Sequence, residues 1–167
     1  MSTTILLIRH GETPWNAERR LQGHIDIALN DVGLRQAAAV GQALAGEPLA
    51  AILSSDLQRA RQTAQAAADL HDLPVRTDQL LRERCYGAFE GLLYADIAAQ
   101  YPHEYAQWQS RQIDAVMPSG ERQAESFRQF YARANAAIAR WAAQYEGQTI
   151  AIVAHGGVLE CADSEAV

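Results

Sequence analysis

Thr3-Thr4-Ile5-Leu6-Leu7-Ile8-Arg9-His10-Gly11, residues 3–11 of this 167-residue chain, sets the fold class that the sequence predicts. Its apolar part is short, rich in Ile and Leu, and ends at polar residues, which is typical of a buried strand. Similar runs follow at 49–53 and 148–154, and a shorter strand is predicted within 75–81. Helical segments separate these runs. Strands that alternate with helices predict a single domain over 1–167, a three-layer α/β/α sandwich with a mostly parallel sheet.

The three strongest predicted strands end at residues that can carry chemistry. The first ends at Arg9-His10-Gly11, the second at Ser54-Ser55-Asp56 and the third at His155-Gly156-Gly157. In open α/β sheets, ligands bind beyond the carboxyl ends of the strands. Arg59, one turn into the helix after the second strand, points to the same place. The sequence therefore predicts that two histidines and two arginines meet in one crevice.

The composition narrows the chemistry that this crevice can perform. The net charge is −6, and all 14 basic residues are arginine. Without lysine there is no Schiff base, no pyridoxal anchor and no P-loop, so a phosphate must be bound by Arg, His and backbone N–H groups. The negative net charge argues against a nucleic-acid partner and against an anionic membrane.

Metal sites, cofactors and targeting segments leave no signal in the sequence. Cys85 and Cys161 form neither a disulfide framework nor a zinc pattern. There is no His-Glu-x-x-His motif and no Asp and His cluster at ligand spacing, so we expect no metal, no cofactor and activity that survives a strong chelator. With no signal peptide and no apolar run of membrane-spanning length, we expect a cytoplasmic protein with no membrane partner.

Five motifs in a fixed order carry a family resemblance. The first is Leu7-Ile8-Arg9-His10-Gly11-Glu12-Thr13. The others are Asn16 with Leu21-Gln22-Gly23, then residues 54–64, then Leu81-Arg82-Glu83-Arg84 with Gly87, Glu90 and Gly91, and finally Val153-Ala154-His155-Gly156-Gly157. In this order they resemble the histidine phosphatase superfamily, also called phosphoglycerate mutase-like. The resemblance covers nearly the whole chain, and the ordered set is far more specific than any one motif.

The resemblance implies an enzyme that forms a phosphohistidine on His10. Neutral imidazole is a good nucleophile near pH 7 and leaves well afterwards. Guanidinium groups spread the charge of a phosphoryl group and bind its oxygens in a planar fork, so Arg9 and Arg59 are interpreted as phosphate clamps. His155 is interpreted as a second phosphate contact. Glu83 is interpreted as the general acid and base, although from residue type alone an ion pair with a neighbouring arginine is equally acceptable.

Several polar residues complete the predicted site. Asn16, Gln22, Gly23 and Thr13 are implied as neutral groups that bind substrate, and Glu90 as a brace for the loop that carries Glu83. Five aromatic residues either line a substrate pocket or pack as core, and three further histidines are predicted to lie at the surface. The aromatic residues are Tyr86, Phe89, Tyr94, Tyr101 and Trp108, and the histidines are His24, His71 and His103.

Three functions stay open at this point, each with a small phosphorylated substrate or ligand as partner. A phosphatase is favoured, because a mutase needs extra basic residues to hold a bisphosphorylated intermediate, and none follows Gly91 before Arg111. The alternative is a cofactor-dependent phosphoglycerate mutase. The second alternative is a weakly active or inactive relative that binds phosphorylated ligands.

The end of the chain departs from the family pattern. Members usually continue past the second histidine with a helix and further strands, whereas ten residues follow Gly157 here. We expect these residues to be too few for either, so the C-terminal part is interpreted as truncated. Missing strands expose a sheet edge. Two hypotheses follow: a homodimer covers the edge, or the fold is marginally stable.

Overall fold

A computed structural model describes residues 1–165. Its sheet contains four parallel strands, in the order β1-β4-β2-β3. The predicted strands are present, but the one expected within 75–81 is shorter because a 3₁₀ turn at 79–81 follows it. The strands are β1 (Thr4–Arg9), β2 (Leu49–Ser54), β3 (Val75–Thr77) and β4 (Thr149–Ala154).

Seven α-helices lie within residues 1–165. The sequence predicts a helical stretch from Leu92 to Trp108 that is broken at Pro102, and two helices do meet at Tyr101, where Pro102 begins the second of them. The helices are α1 (Pro14–Glu18), α2 (Asp31–Leu44), α3 (Gln58–His71), α4 (Tyr94–Gln100), α5 (Pro102–Gln109), α6 (Phe127–Ala143) and α7 (Gly156–Glu165).

The two faces of the sheet are covered by different helices, which confirms the predicted α/β/α sandwich. Side chains alternate between the faces of a strand, so neighbours in β2 face opposite layers. Ile52 packs against the alanines of α3, whereas Leu53 packs against α6 and α7. Central β4 behaves in the same way and is buried along nearly all its length. Its fully buried Ile152 contributes roughly 1.5–3 kcal/mol to stability.

Local signals set where α6 and α7 begin. The sequence predicts a long helix from roughly Gln123 to Tyr145. That start is wrong, because Ser126 caps α6 by accepting from Gln129 N–H while the Gln129 side chain accepts from Ser126 N–H. The expectation that too few residues follow Gly157 for a helix is also wrong. α7 begins at Gly156, directly after β4, and buries Val158 and Cys161 against the sheet.

A third cluster of apolar residues lies over the carboxyl end of the sheet. It shows which of the five aromatic residues pack as core. Phe89 is fully buried there with Leu21, Ile97 and Met117. Tyr101, Tyr105 and Trp108 pack against this cluster. Segment 86–117 therefore forms a packed cap above the strand ends, and its aromatic residues are partly core.

Two surface features complete the description. Among residues 1–165, no helix combines the length and the apolar character that crossing a bilayer requires. In the same part of the chain β1 pairs with β4 on one side only, so β1 is an edge strand.

Candidate active site

The carboxyl ends of β1, β2 and β4 surround a small pocket of about 110 Å³. His10 follows β1, His155 follows β4, and Arg59 lies in the first turn of α3, after β2. The two imidazole rings have centroids 5.1 Å apart. The sequence-predicted residues that line the pocket are Arg9, His10, Asn16, Gln22, Gly23, Arg59, Glu83 and His155.

His10 is held as a neutral imidazole with one nitrogen free. Its Nδ1 lies 2.6 Å from the Gly11 carbonyl oxygen. A carbonyl only accepts hydrogen bonds, so Nδ1 carries the proton and Nε2 keeps a lone pair. Burial lowers the pKa of His10 to about 4, the Gly11 hydrogen bond opposes this, and the charges of Arg59 and Arg9 lower the pKa further. At neutral pH the side chain is a nucleophile rather than a cation.

This buried histidine predicts a pH-dependent stability. The pKa of His10 is 6.5 when unfolded and about 4 when folded, so the unfolded chain binds more protons between these values. We expect the free energy of unfolding to fall by about 3 kcal/mol from His10 alone as the pH drops from 6.5 to 4.

Urea unfolding across this pH range tests the prediction, with the exposed His103→Ala variant as control. The dependence of the free energy of unfolding on pH should become weaker in His10→Ala and stay the same in His103→Ala. A slope that His10→Ala leaves unchanged would contradict the assignment of this histidine as buried and neutral.

Arg59 is a buried cation held by the loop that follows α1. Its side chain is 1% exposed. Nη1 donates to the Ile25 carbonyl and Nη2 to the Gly23 carbonyl, each at 2.7 Å. Burial lowers the pKa of Arg59 to about 10, so the guanidinium stays charged at pH 7. Nε has no partner within the described chain. Arg9 is exposed at the end of β1 and lies against Gly156.

His155 is fully buried between the strands. Its Nε2 lies 2.8 Å from the Ser55 hydroxyl oxygen, and its Nδ1 has no partner within the described chain. Burial, followed by the charge of Arg59, holds the pKa of His155 well below 6.5, so the ring is neutral. Since the Ser55 hydroxyl can donate to Nε2, Nδ1 can carry the proton and donate to a bound anion.

The carboxyl group of Glu83 is buried in the same pocket. One oxygen accepts from Arg84 N–H at 2.8 Å, and the other accepts from Gly157 N–H at 3.0 Å. Burial raises the pKa of Glu83; the two backbone hydrogen bonds and the charge of Arg59 oppose this without cancelling it. A carboxyl group with a raised pKa can both give and take a proton near neutral pH.

The contact between Glu83 and α7 requires glycine at position 157. A Cβ there would overlap Glu83 Oε1 and lie 3.0 Å from the Phe130 ring. We expect Gly157→Ala to lower the free energy of unfolding by roughly 1–3 kcal/mol and to displace the Glu83 carboxyl group. Gly46→Ala is the control, because nothing lies within 4 Å of a Cβ at that position. Equal unfolding free energies for the two variants would contradict this packing.

The loop residues present amide nitrogens to the pocket. Asn16 Oδ1 accepts from Thr13 N–H at 3.0 Å, and Gln22 Oε1 accepts from the Thr13 hydroxyl at 2.7 Å. Because both oxygens are engaged, the NH₂ groups of Asn16 and Gln22 are left to donate to an anion. Thr13 itself is fully buried and does not line the pocket. It caps α1 and orients the two amides instead.

The prediction that three histidines lie at the surface holds only for His103. His71 is half-buried, with Nε2 bonded to the Leu44 carbonyl. His24 is 17% exposed; its Nε2 donates to the Glu83 carbonyl, and its backbone N–H donates to Glu90. Glu90 also accepts from Tyr86 N–H, so it braces the loop as expected.

Other contributors to the site carried little or no sequence signal. Ser55 was noted only as a residue at the end of the second strand, and Glu125 and Arg133 were not singled out, since their contacts with His155, Cys85 and Glu83 join residues far apart in the chain. By contrast, Tyr86, Tyr94 and Trp108 line the pocket, which is one of the two roles that the sequence allowed for the five aromatic residues. Across residues 1–165, no three His, Cys, Asp or Glu side chains are placed to hold a metal ion.

A larger cavity of about 750 Å³ adjoins the pocket and shares Tyr86 and Trp108 with it. Its walls come from the end of α5 and the loop after it, from α6 and from α7. Arg84, Arg111, Phe127 and Glu160 are among the residues that line it. The larger cavity therefore extends the small pocket towards α5, α6 and α7.

Fold and site together define an α/β protein with a pocket lined by histidines and arginines at the carboxyl edge of a parallel sheet. The model of the histidine phosphatase superfamily (branch 1) matches residues 5–167. The chain therefore belongs to the histidine phosphatase superfamily, a family of enzymes, and the resemblance seen in its motifs is confirmed.

Similar proteins carry phosphatase and mutase-like names. Phosphoglycerate mutase-like protein 4 of Arabidopsis thaliana is 42% identical over 157 residues, 93% of this chain and 67% of its own length. The metal-independent phosphoserine phosphatase of the same plant is 41% identical over 159 residues, 94% of this chain and 66% of its own length. The chain thus spans about two thirds of each relative. The structure of Bacillus stearothermophilus YhfR superposes with a TM-score of 0.88 at 34% identity, covering 98% of this chain and 79% of that one.

Proposed function

We propose that the protein is a phosphomonoester phosphatase that acts through a phosphohistidine on His10, with Glu83 as proton donor and acceptor. One observation carries the proposal: His10 is neutral, its Nε2 is free, and it shares a small pocket with Arg59, His155 and the buried Glu83 carboxyl group. The two Arabidopsis relatives, named as a phosphoserine phosphatase and as phosphoglycerate mutase-like, support phosphoryl chemistry on small substrates.

In the first step, the lone pair of His10 Nε2 attacks phosphorus and the bond from phosphorus to the ester oxygen breaks. Protonated Glu83 gives its proton to the leaving oxygen, which departs as an alcohol. Arg9 and Arg59 supply positive charge where the transferring oxygens gather negative charge, and Nδ1 of His155 supplies a hydrogen bond. Imidazole is the nucleophile, so no metal-bound hydroxide is required for this step.

In the second step, ionised Glu83 takes a proton from a water molecule whose oxygen attacks phosphorus. The bond from phosphorus to Nε2 breaks, inorganic phosphate leaves, and His10 returns to its neutral form. Glu83 is protonated again and ready for the next substrate. One group serves as acid and then as base, which suits a carboxyl group whose pKa is raised by burial.

The proposal favours water over a second substrate hydroxyl as phosphoryl acceptor. Pocket and cavity together contain four arginines as lining residues, Arg9, Arg59, Arg84 and Arg111. The first two surround the phosphoryl position. The Arg84 side chain donates to the Glu125 and Ala115 carbonyls, which leaves Arg111 as the one arginine of the larger cavity whose side chain has no described partner in residues 1–165. A cofactor-dependent mutase needs a stronger second anion site.

Product analysis tests the proposal. Inorganic phosphate release from phosphoserine and glycerol phosphate is compared with interconversion of 2- and 3-phosphoglycerate, each with and without EDTA. We expect phosphate release that EDTA leaves unchanged. Dominant interconversion would support the mutase, tight binding of inorganic phosphate without turnover would support the phospholigand-binding relative, and activity lost in EDTA and restored by a divalent ion would contradict the mechanism.

We also propose that the protein is cytoplasmic and forms a homodimer through the open edge of β1. Within residues 1–165 no strand pairs with the other side of β1, so the backbone groups on that side are available to another chain. Light scattering after size-exclusion chromatography tests whether the protein forms a homodimer. A mass near 37 kDa, twice the 18.3 kDa of one chain, is expected, whereas a stable monomer would contradict it.

A further inference from the structure

The guanidinium group of Arg133, on α6, is fully engaged below the active-site pocket. Nη1 donates to the Leu80 and Arg82 carbonyls at 2.8 and 3.0 Å. Nη2 donates to the Glu83 carbonyl at 3.1 Å and to Glu125 Oε1 at 2.7 Å, and Nε donates to Glu125 Oε2 at 2.8 Å. A guanidinium has five N–H donors, and all five have partners here.

Glu125 links Arg133 to Cys85, which lies two residues after Glu83 in the same loop. Its Oε1 also accepts from Cys85 N–H at 2.9 Å, while its backbone N–H donates to the Cys85 carbonyl. Burial raises the pKa of Glu125, but hydrogen bonds from Arg133 and from Cys85 N–H lower it below its ordinary value. The ion pair is largely shielded, with both side chains less than one fifth exposed.

These hydrogen bonds hold the main chain both before and after Glu83 in the sequence. Arg133 binds residues 80, 82 and 83, and Glu125 binds residue 85. His24 adds a second donor to the Glu83 carbonyl at 2.7 Å. The carboxyl group at the other end of Glu83 meets Gly157 N–H only while this backbone stays in place. A shift of about 1 Å in a catalytic group can cost on the order of 10²-fold in rate.

We propose that Arg133 is a positioning residue of the reaction, which holds the 80–83 main chain so that the Glu83 carboxyl group faces the leaving oxygen. The inference rests on the proposed function, since it concerns the same proton transfer. Arg133 is not among the residues that line the pocket or the adjoining cavity. Its effect therefore falls on proton donation and leaves the phosphate-binding groups unchanged.

Leaving-group dependence separates positioning from general loss of structure. An alkyl phosphate needs a proton on its leaving oxygen, whereas p-nitrophenolate leaves without one. In Arg133→Lys, which keeps the charge but has three donors, we expect kcat/KM for glycerol phosphate to fall by about 10- to 100-fold. For p-nitrophenyl phosphate we expect a fall of less than about threefold, with the alkaline limb of the pH profile for glycerol phosphate altered.

Two further variants complete the experiment. Arg128→Met is the matched control on the same helix, because Arg128 pairs with Asp114 at the surface and neither contacts the Glu83 loop. It should leave the ratio of the two kcat/KM values within about twofold of wild type. Glu125→Gln keeps an acceptor for Cys85 N–H and tests the proposal if Arg133→Lys does not fold. It should lower the ratio of kcat/KM for glycerol phosphate to kcat/KM for p-nitrophenyl phosphate, but by less than Arg133→Lys does.

The outcomes separate this inference from the function on which it rests. A wild-type protein without His10-dependent phosphate release would overturn the proposed function and the role of Arg133 together. Normal wild-type rates with equal losses for both substrates in Arg133→Lys, or with a ratio changed as much by Arg128→Met, would overturn the role of Arg133 alone.

Discussion

His10→Ala is expected to lower kcat/KM for every phosphomonoester by at least about 10³-fold, the largest effect of any single substitution in this chain. The loss follows from the geometry: Nε2 of His10 is the free nucleophilic nitrogen of the pocket, because Nδ1 is bound to the Gly11 carbonyl and His155 is held against Ser55. The variant should also fail to acquire acid-labile phosphate when mixed with substrate and quenched rapidly.

The matched control is His103→Ala, since His103 is exposed on α5 and lies outside the pocket. It should keep wild-type rates and wild-type phosphate incorporation. Acid-labile phosphate that persists in His10→Ala and disappears in a variant of another histidine would reassign the nucleophile. Persistent turnover with no labile phosphate in either protein would exclude the covalent route.

Glu83→Gln is expected to have the second largest effect and to split the two half-reactions. The amide cannot give a proton to an alkoxide, so kcat/KM for glycerol phosphate should fall by about 10²–10³-fold, less than in His10→Ala. With p-nitrophenyl phosphate the first step needs no proton and survives, but the second step lacks its base. We expect a burst of p-nitrophenol equal to the enzyme concentration, followed by slow turnover, with phosphohistidine accumulating.

The pH dependence of the wild-type rate tests the same acid role of Glu83. Because the pKa of Glu83 is raised, its protonated fraction persists towards neutral pH and then declines. Hydrolysis of alkyl phosphates should therefore fall as the pH rises through this pKa, and Glu83→Gln should lose that limb. Glu146→Gln, at an exposed position, is the control. A Glu83→Gln variant with no burst and an intact alkaline limb would give the acid role to another group.

The contrast between Glu83 and Arg133 shows how the site is built. Glu83 gains its raised pKa from burial, and the same burial requires two backbone N–H groups to satisfy its oxygens. One of those groups belongs to the first turn of α7, which places the carboxylate at a helix N-terminus. Arg133 then fixes the main chain from the opposite side, so that proton donor, helix and loop form one unit.

Local sequence was sufficient to predict the sheet and the main elements of the pocket. Apolar runs end at Arg9-His10 and at His155, and parallel strands bring their carboxyl ends to one edge, so His10 and His155 had to be neighbours. Arg59 followed from its place in the first turn of the next helix. The roles of these residues and of Glu83 came from the family resemblance, and they stay predictions until the variants are measured.

Other features depend on contacts between distant segments and had no local pattern. His24 looked like a surface histidine, yet its ring meets the Glu83 carbonyl from 59 positions away in sequence. The sequence predicted that Thr13 binds substrate, yet its side chain points inward and its hydroxyl donates to Gln22 Oε1. α7 was missed because the residues after Gly157 were judged too few for a helix, whereas burial of Val158 and Cys161 against the sheet stabilises one that begins at Gly156.

Sequence alone therefore predicted the class of fold and the histidines and arginines that meet at the sheet edge, because strand periodicity and strand-end residues are local properties; the family resemblance then made His10 the nucleophile candidate. Protonation states and proton-transfer geometry emerged only from the folded chain. The lowered pKa of His10 and the raised pKa of Glu83 are set by desolvation, and Arg133 acts through carbonyls 50 to 53 residues away. Desolvation and long-range hydrogen bonds exist only once distant segments have packed together, which is why no motif records them.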